Sequence, residues 1–496
     1  VRTTTTRHAL ATVPLALALA GSPAEAQEIP AHPDELVFQP IVFEPPSSEA
    51  HRHVLKNGMV VFIAEDRALP LVNVALTLRV GDWLDPEGKE GLASLTGSMM
   101  RRGGTKSLTA EELDERLDFL AAQVSTGIGS TSGGASLNCL TDNLDEALAL
   151  FVEILRDPRF QEDRLELARE QLLQAMEKRN DDSADIEARE WNVLLNGESH
   201  FTNRFTTESS VEAITRGDLV AFHRKYLHPS RMIAAVSGSF ETENMLRRLE
   251  EAFADWPGTP AETPPIPDTI DPAVPGLYRI EKDVNQGRVS LGLPGVMRSH
   301  PDVYALEVMN DILGGSGFTS RIMTTVRSNE GLAYSAGSGI SFGVWYPGRF
   351  RASFQSKSPT VAWATELVLQ EIRKIREKGV TAEELATAQA SLIETFPSNF
   401  NSKDRAMAIF ASDEYTGRDP DYWRTYRDRI RAVTTDDVQR VARNHILPGK
   451  MIILVVGDQK AIARGDEAHA VTLEALAPGG RVTDLPLRDP MTMEMP

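Results

Sequence analysis

Arg327 and Tyr334 stand seven residues apart in the stretch Val326-Arg-Ser-Asn-Glu-Gly-Leu-Ala-Tyr-Ser335. A guanidinium fork grips a carbonyl or carboxylate through parallel N–H bonds, and a phenol adds another donor. The pair could therefore hold a substrate carbonyl or stabilise an oxyanion as it develops. Gly331, between them, is a helix-stop residue. It places Arg327 in the last turn of a helix and Tyr334 at the opening of the next strand, so that both project from one tight corner. Spacing alone also fits, and by itself favours, an Arg that satisfies its own helix carbonyls and a Tyr at the rim of a core.

Other residues with chemical potential are more scattered. Gly314-Gly315-Ser316-Gly317 has the look of a phosphate loop but lacks the Lys-Ser/Thr of a nucleotide site, and reads as a flexible turn before a helix. His51-Arg52-His53 could offer two ligands to a metal. No third ligand stands near it, and a solvated strand start is the better reading. His200, His223, His228, His300 and His445 are dispersed along the chain. Cys139 is the single cysteine, which excludes an internal disulfide and a thiolate zinc cluster. Its setting, Ser136-Leu-Asn-Cys-Leu140, alternates like a half-buried strand, so Cys139 reads as a small core residue. Asp181-Asp182 and Asp466-Glu467 read as solvated surface.

The elements that must carry these residues occur twice. Ile214 to Gly238 lies without a gap over Val433 to Gly457, sharing Thr215/Thr434, Asp218/Asp437, Arg224/Arg443, Pro229/Pro448, Met232/Met451, Ile233/Ile452, Val236/Val455 and Gly238/Gly457. Each copy reads as a capped helix, a Pro turn and a buried strand ending in Gly. Leu165, Ala168 and Leu172 match Leu385, Ala388 and Leu392 at nearly the same offset. So long a period indicates domain duplication. Asn57-Gly58 reads as a hairpin turn, Leu71 to Val80 as a strand, and Thr109-x-x-Glu112 as a capping box. The second copy supplies strands near Val289 to Leu293, Ser335 to Ile340 and Arg349 to Phe354, with helices from Pro301, Pro359 and Thr381. Strands and helices mix without a strict βαβ rhythm, which predicts an α+β fold with largely antiparallel sheets.

The segment Gly91-Leu-Ala-Ser-Leu-Thr-Gly-Ser-Met-Met100 resembles the zinc-binding helix of the pitrilysin/insulinase-type metallopeptidases, whose pattern is Gly-Leu-Ala-His-x-x-Glu-His-Met. The likeness continues through Val80-Gly81-Asp82 and Pro86-Glu87-Gly88-Lys89 upstream, and through Arg102-Gly103-Gly104-Thr105 downstream. In that family the two His bind zinc and the Glu acts as general base. Ser94, Gly97 and Ser98 occupy those three places here. The third ligand, a Glu in a later helix, falls on Ala175 within Ala168 to Met176. Glu170 and Glu177 stand nearby in other registers, but two missing His are not recovered that way. A serine hydroxyl and an alanine methyl do not replace zinc ligands near neutral pH.

The second copy resembles the family's Leu-Gly-Gly-x-x-x-Ser-Arg and Arg-x-x-x-Gly-Leu-Ala-Tyr-Ser block, in Leu313 to Arg321 and Arg327 to Ser335. The resemblance implies two similar α+β domains that face each other as a clamshell. It further implies that Arg327 and Tyr334 reach toward substrate, and that Gly314, Gly315 and Gly317 contact a peptide, as in noncatalytic chains of the mitochondrial processing peptidase alpha type.

The chain has 496 residues and a formal net charge of −19, which argues against nucleic-acid binding and favours neutral or basic partners where charge matters. Arg2 and Arg7, the apolar run Ala9 to Ala20 and Ala24-Glu25-Ala26 read as a secretory signal peptide, too short to span a bilayer. Val1 fits an alternative start codon or a clipped chain. The expected organisation is a signal peptide (1–26), an N-terminal arm (27–48), a first domain with the degenerate zinc site (49–256), a Pro-rich linker (257–276), a second domain with the Arg/Tyr corner (277–470) and a loose C-terminal tail (471–496). The expected function is that of a catalytically inactive homologue with no metal or other cofactor of its own. It pairs with an active His-x-x-Glu-His homologue that carries the zinc, and contributes substrate-binding residues for peptide proteolysis in the periplasm or outside the cell, with no transmembrane segment. The alternative is a peptide-binding or scaffold protein without a proteolytic partner, as the family's respiratory-complex core subunits illustrate.

Overall fold

Alternation is clearest in Leu71–Leu78, where Val72, Val74, Leu76 and Leu78 are buried and the residues between them are half-exposed. This strand lies within one of two six-stranded sheets in a computed structural model that describes His32 and residues 42–259 and 261–496. Of the expected signal peptide and N-terminal arm, only His32 and residues 42–48 are described; the rest lie outside the described residues. Val1–Phe43 and Glu44–Pro496 are separate units, and both sheets belong to the second.

The strands are β1 (Arg52–Val54), β2 (Val60–Glu65), β3 (Leu71–Leu78), β4 (Gln123–Ile128), β5 (Gly133–Leu140), β6 (Met232–Gly238), β7 (Gly276–Glu281), β8 (Gln286–Pro294), β9 (Ala333–Ser341), β10 (Arg349–Lys357), β11 (Ile452–Gly457) and β12 (Val482–Asp484). Their order is β1-β2-β6-β3-β5-β4 in one sheet and β12-β7-β11-β8-β10-β9 in the other. In each, the second and third strands run parallel and the next three pairings are antiparallel. The sheets differ at one edge, where β1 is antiparallel to β2 but β12 is parallel to β7. The fold is thus α+β in two similar domains. The repeated segment falls on the same element in both, because Thr215 and Thr434 each close a capping box on their helices, and β6 and β11 follow a Pro turn and are buried throughout.

Each domain covers one face of its sheet with its own helices and receives the other cover from its sibling. In the first sheet Val61, Ile63, Val74 and Leu76 pack on Leu95, Met99, Leu148 and Phe151 of the helices Leu92–Arg102 and Leu144–Arg156. The opposite face, with Phe62, Ala64, Ile233 and Ala235, packs on Ala406, Met407, Phe410 and Ala411 of the helix Lys403–Thr416 from the second half. Reciprocally, Ile186, Trp191, Leu194 and Leu195 of the helix Ser183–Asn196 cover Tyr278, Ile280, Ile452, Leu454 and Val456 of the second sheet. Glu187 of that helix is buried, accepting from Ser290 Oγ and pairing with Arg351 at 3.0 Å.

The C-terminal segment departs from expectation. It contributes β12 and then docks on the first half. The buried Arg488 pairs with Glu190 at 3.1 Å and with Glu198, while the Asn180 side chain donates to the Arg488 carbonyl at 2.8 Å. A run rich in Pro, Gly and Met reads as loose because its anchors are distant in sequence. Among the described residues no helix is long and apolar enough to cross a membrane.

Candidate functional site

The helix Leu92–Arg102 begins at Gly91, whose φ of 101° favours glycine. Asp85 caps it, one carboxylate oxygen accepting from the Gly91 N–H and the other from the Ala93 N–H, both at 2.8 Å. Burial pushes the Asp85 carboxyl up from its ordinary 3.8 to about 7, against the pull of those two amides. Ser94 is exposed and Ser98 donates back to the Leu95 carbonyl at 3.1 Å. Ala175 is exposed on the helix Glu162–Glu177. Gly97 is pressed against β4. A Cβ there would lie 2.3 Å from the Ile128 nitrogen and 2.7 Å from the Gly127 carbonyl carbon, and Thr126 Oγ1 donates to the Gly97 carbonyl at 2.6 Å. The position of the family's general base is therefore filled by a neighbouring backbone.

The Arg/Tyr corner forms as its spacing predicts, with one refinement. The turn bearing Arg327 is π-helical, spanning Thr324–Asn329. Gly331, at φ +65°, ends it by donating to the Arg327 carbonyl at 3.0 Å, while Leu332 donates to Val326 at 3.0 Å. The Arg327 carbonyl is thus satisfied by backbone, and its guanidinium is left to other work. It sits between two aromatic faces, 4.4 Å from the Phe318 ring centre and 5.1 Å from that of Tyr334. Phe318 is 69% exposed and Tyr334 is 87% exposed, which rules out a core-rim role for the tyrosine. Phe318 was not singled out by the sequence, although its place beside the Gly run could have signalled it.

Arg327 and Tyr334 line a cavity of about 670 Å³ that also takes in Arg288, Arg351, Lys357 and Glu187, and that does not include Ser94, Ser98 or Ala175. The glycines behave differently from one another. Gly314 is buried, and a Cβ on it would meet the Ser338 nitrogen at 2.3 Å, so it has no open face for a peptide and serves the packing of Asp311–Gly315 on β9. Gly315 is exposed but backs onto Asn310, and Gly317, at φ +61°, has open space around it.

Among the remaining candidates, Cys139 is fully buried, with its thiol pushed up to about 11 by burial, as a core residue should be. His300 and His445, dispersed in sequence, meet beside Asp302. Asp302 pairs with His445 Nε2 at 2.8 Å and with Arg440 at 2.8 Å, and those partners hold its carboxyl below the ordinary range despite partial burial. With one oxygen held by a guanidinium, the group acts as a charged brace between two helices.

The two domains and the vacated helix define an insulinase-type peptidase fold without its zinc residues, and the chain belongs to the insulinase (peptidase M16) family. The family model "Insulinase (Peptidase family M16)" matches residues 60–193, and "Peptidase M16 inactive domain" matches residues 213–392. The chain is 24% identical over 417 residues to the "Non-peptidase homolog YmxG" of Helicobacter pylori, covering 84% of this chain and 95% of that one. It is 24% identical over 363 residues to an uncharacterized zinc protease of Streptomyces coelicolor, covering 72% and 78%. In fold it is similar to a peptidase M16 inactive domain from Pseudomonas fluorescens, with a TM-score of 0.73, 24% identity and coverage of 82% and 97%. The periplasmic protease PqqL of Escherichia coli is also similar, with a TM-score of 0.68 at 14% identity, over 87% of this chain and 49% of that one. The chain is an inactive homologue within this family, in keeping with the non-peptidase relative.

Proposed function

We propose that this chain is the noncatalytic half of a two-chain metalloendopeptidase, exported from the cytoplasm, that presents Arg327 and Tyr334 to a peptide held at the zinc of an active His-x-x-Glu-His homologue. The observation that carries this reading is the contrast between two sites in one chain. The helix Leu92–Arg102 has no ligand at Ser94 or Ser98 and no room for a base at Gly97, and the helix Glu162–Glu177 has no ligand at Ala175. The corner, by contrast, holds a guanidinium between two exposed rings. An aromatic pair that stays exposed while flanking only Arg327 supports contact with something else. Placed at a reaction centre, the fork and the phenol would donate to a carbonyl oxygen as charge builds on it. Export is supported by the charged, apolar and small-x-small order of residues 1–26.

Co-expression with the homologue that carries the intact motif tests the proposal. Co-elution in gel filtration and peptide hydrolysis greater than that of the homologue alone are expected. Separate elution with unchanged hydrolysis would overturn it in favour of a scaffold.

A further inference from the structure

The chain is strongly acidic, yet the cavity at its Arg/Tyr corner is not. Arg288, Arg327, Arg351 and Lys357 line it against a single carboxylate, Glu187, which is already engaged by Arg351 and Ser290. Arg351 is spoken for by Glu187 and by Ser290 Oγ at 2.7 Å. The other three are available. Arg288 makes one hydrogen bond, to Ser183 Oγ at 3.1 Å. Among the described residues Arg327 has only its two rings and the exposed Lys357 has no carboxylate partner.

Register sets their layout. Gln355 pairs with Arg288 and Lys357 with Gln286 across β10 and β8, so these side chains share the open sheet face beside the helix Ser183–Asn196, and Tyr334 stands on the adjoining edge strand β9. Neighbouring strands lie roughly 5 Å apart, so Arg288 on β8, Lys357 on β10 and Arg327, stacked on Tyr334 of β9, are rooted over a width on the order of 10 Å. Anchors rooted over that width favour a ligand longer than a single small anion. An extended chain with carboxylates on alternate side chains, which share one face, matches them, and Tyr334 and Phe318 offer apolar faces beside it. In a chain of net charge −19, three uncompensated cations in one groove concentrate a field opposite to that of the rest of the molecule.

We infer that this groove selects an acidic segment of an extended peptide, with Arg288 and Lys357 reading carboxylates next to the position held by Arg327 and Tyr334. The inference rests on the proposed substrate-contacting role of the corner, and names the substrate class. It reverses the preference for neutral or basic partners that net charge alone suggests.

The test uses the full chain and fluorescein-labelled peptides of one length on a Gly/Ser/Ala frame, carrying three Glu, three Lys or no charge, with binding followed by anisotropy. Two or three solvent-exposed pairs sum to roughly a tenfold preference for the Glu peptide over the neutral one. That preference should shrink as salt rises. It should vanish in Arg288→Gln/Lys357→Gln while neutral-peptide binding is kept. Lys357→Glu, at an exposed position, should weaken Glu-peptide binding and serves if the double variant misfolds. Equal binding of the three peptides, tighter binding of the Lys peptide, no binding of any, or an acidic preference that survives both variants would overturn the inference. Stimulation of a partner without charge preference would sink the inference alone. Acidic-peptide binding without partner stimulation would sink the proposed subunit role alone.

Discussion

A side chain at Gly97 would begin 2.3 Å from the backbone nitrogen of Ile128, so the Leu92 helix and strand β4 touch at the place where an active relative carries its general base. The first prediction rests on this contact. Gly to Ala inside a helix ordinarily stabilises by about 1 kcal/mol. Gly97→Ala should instead lose about 1–3 kcal/mol through overpacking, measured by urea denaturation. Exposed Ser94→Ala is the control and should lie within about 0.5 kcal/mol of the parent. A stabilised Gly97→Ala variant would show that β4 yields easily.

The second prediction concerns the corner. Because the Arg327 and Tyr334 side chains support nothing beneath them, Arg327→Ala and Tyr334→Phe should keep the parent melting temperature and still assemble with the active homologue. Turnover of the complex should fall roughly 10²- to 10³-fold for the loss of a preorganised oxyanion donor. A raised KM with turnover kept would mark a ground-state contact. Full activity in both would make the corner irrelevant to catalysis.

The third prediction concerns the C-terminal segment. Arg488 is buried against Glu190 and Glu198, so Arg488→Met leaves carboxylates without their guanidinium. Breaking a buried pair on one side costs about 3–5 kcal/mol. Arg189, which also pairs with Glu190 at 2.9 Å, should hold the loss near the lower figure. Chemical denaturation of the variant and of a chain ending at Leu487 should show comparable losses. A neutral outcome in both would restore the loose-tail reading.

A fourth prediction is a pH dependence. Asp85 has its folded pKa raised to about 7 from 3.8, chiefly by burial, so the folded chain holds this proton where the unfolded chain has released it. Stability from this group is full below about 4 and is lost as pH rises toward 7. The stability of the parent relative to Asp85→Asn should therefore fall between pH 4 and pH 7 and level off above. A flat difference across that window would mean that the Gly91 and Ala93 amides outweigh desolvation.

Much of this was legible from residues alone. The duplication was written in the paired helices and strands from Ile214 and Val433, because a capping Thr, a turn Pro and a buried apolar run each act locally. The corner was legible for the same reason: Gly331 both stops the helix and sets the turn. Contacts between distant segments were not. Met407 and Phe410 mark an apolar stripe but do not say which sheet it meets. The blocking of Gly97 depends on β4 passing against the helix, and no spacing encodes that approach. His300 and His445 looked scattered because the two helices that bring them together lie far apart in the chain. The cationic groove escaped notice because Arg288 sits on β8 while Arg351 and Lys357 sit on β10, and only register shows that the two strands share a face.

Reciprocal helices also decide how damage spreads. Phe410 is the wall of a sheet built by the other half of the chain, and Trp191 is the wall of the other sheet. Removing either ring, at about 3–5 kcal/mol, opens a hole in the domain that does not carry it in sequence. Two copies of one fold look like insurance, each able to stand if the other fails. Here neither has a spare, since a fault in one copy is suffered by its sibling.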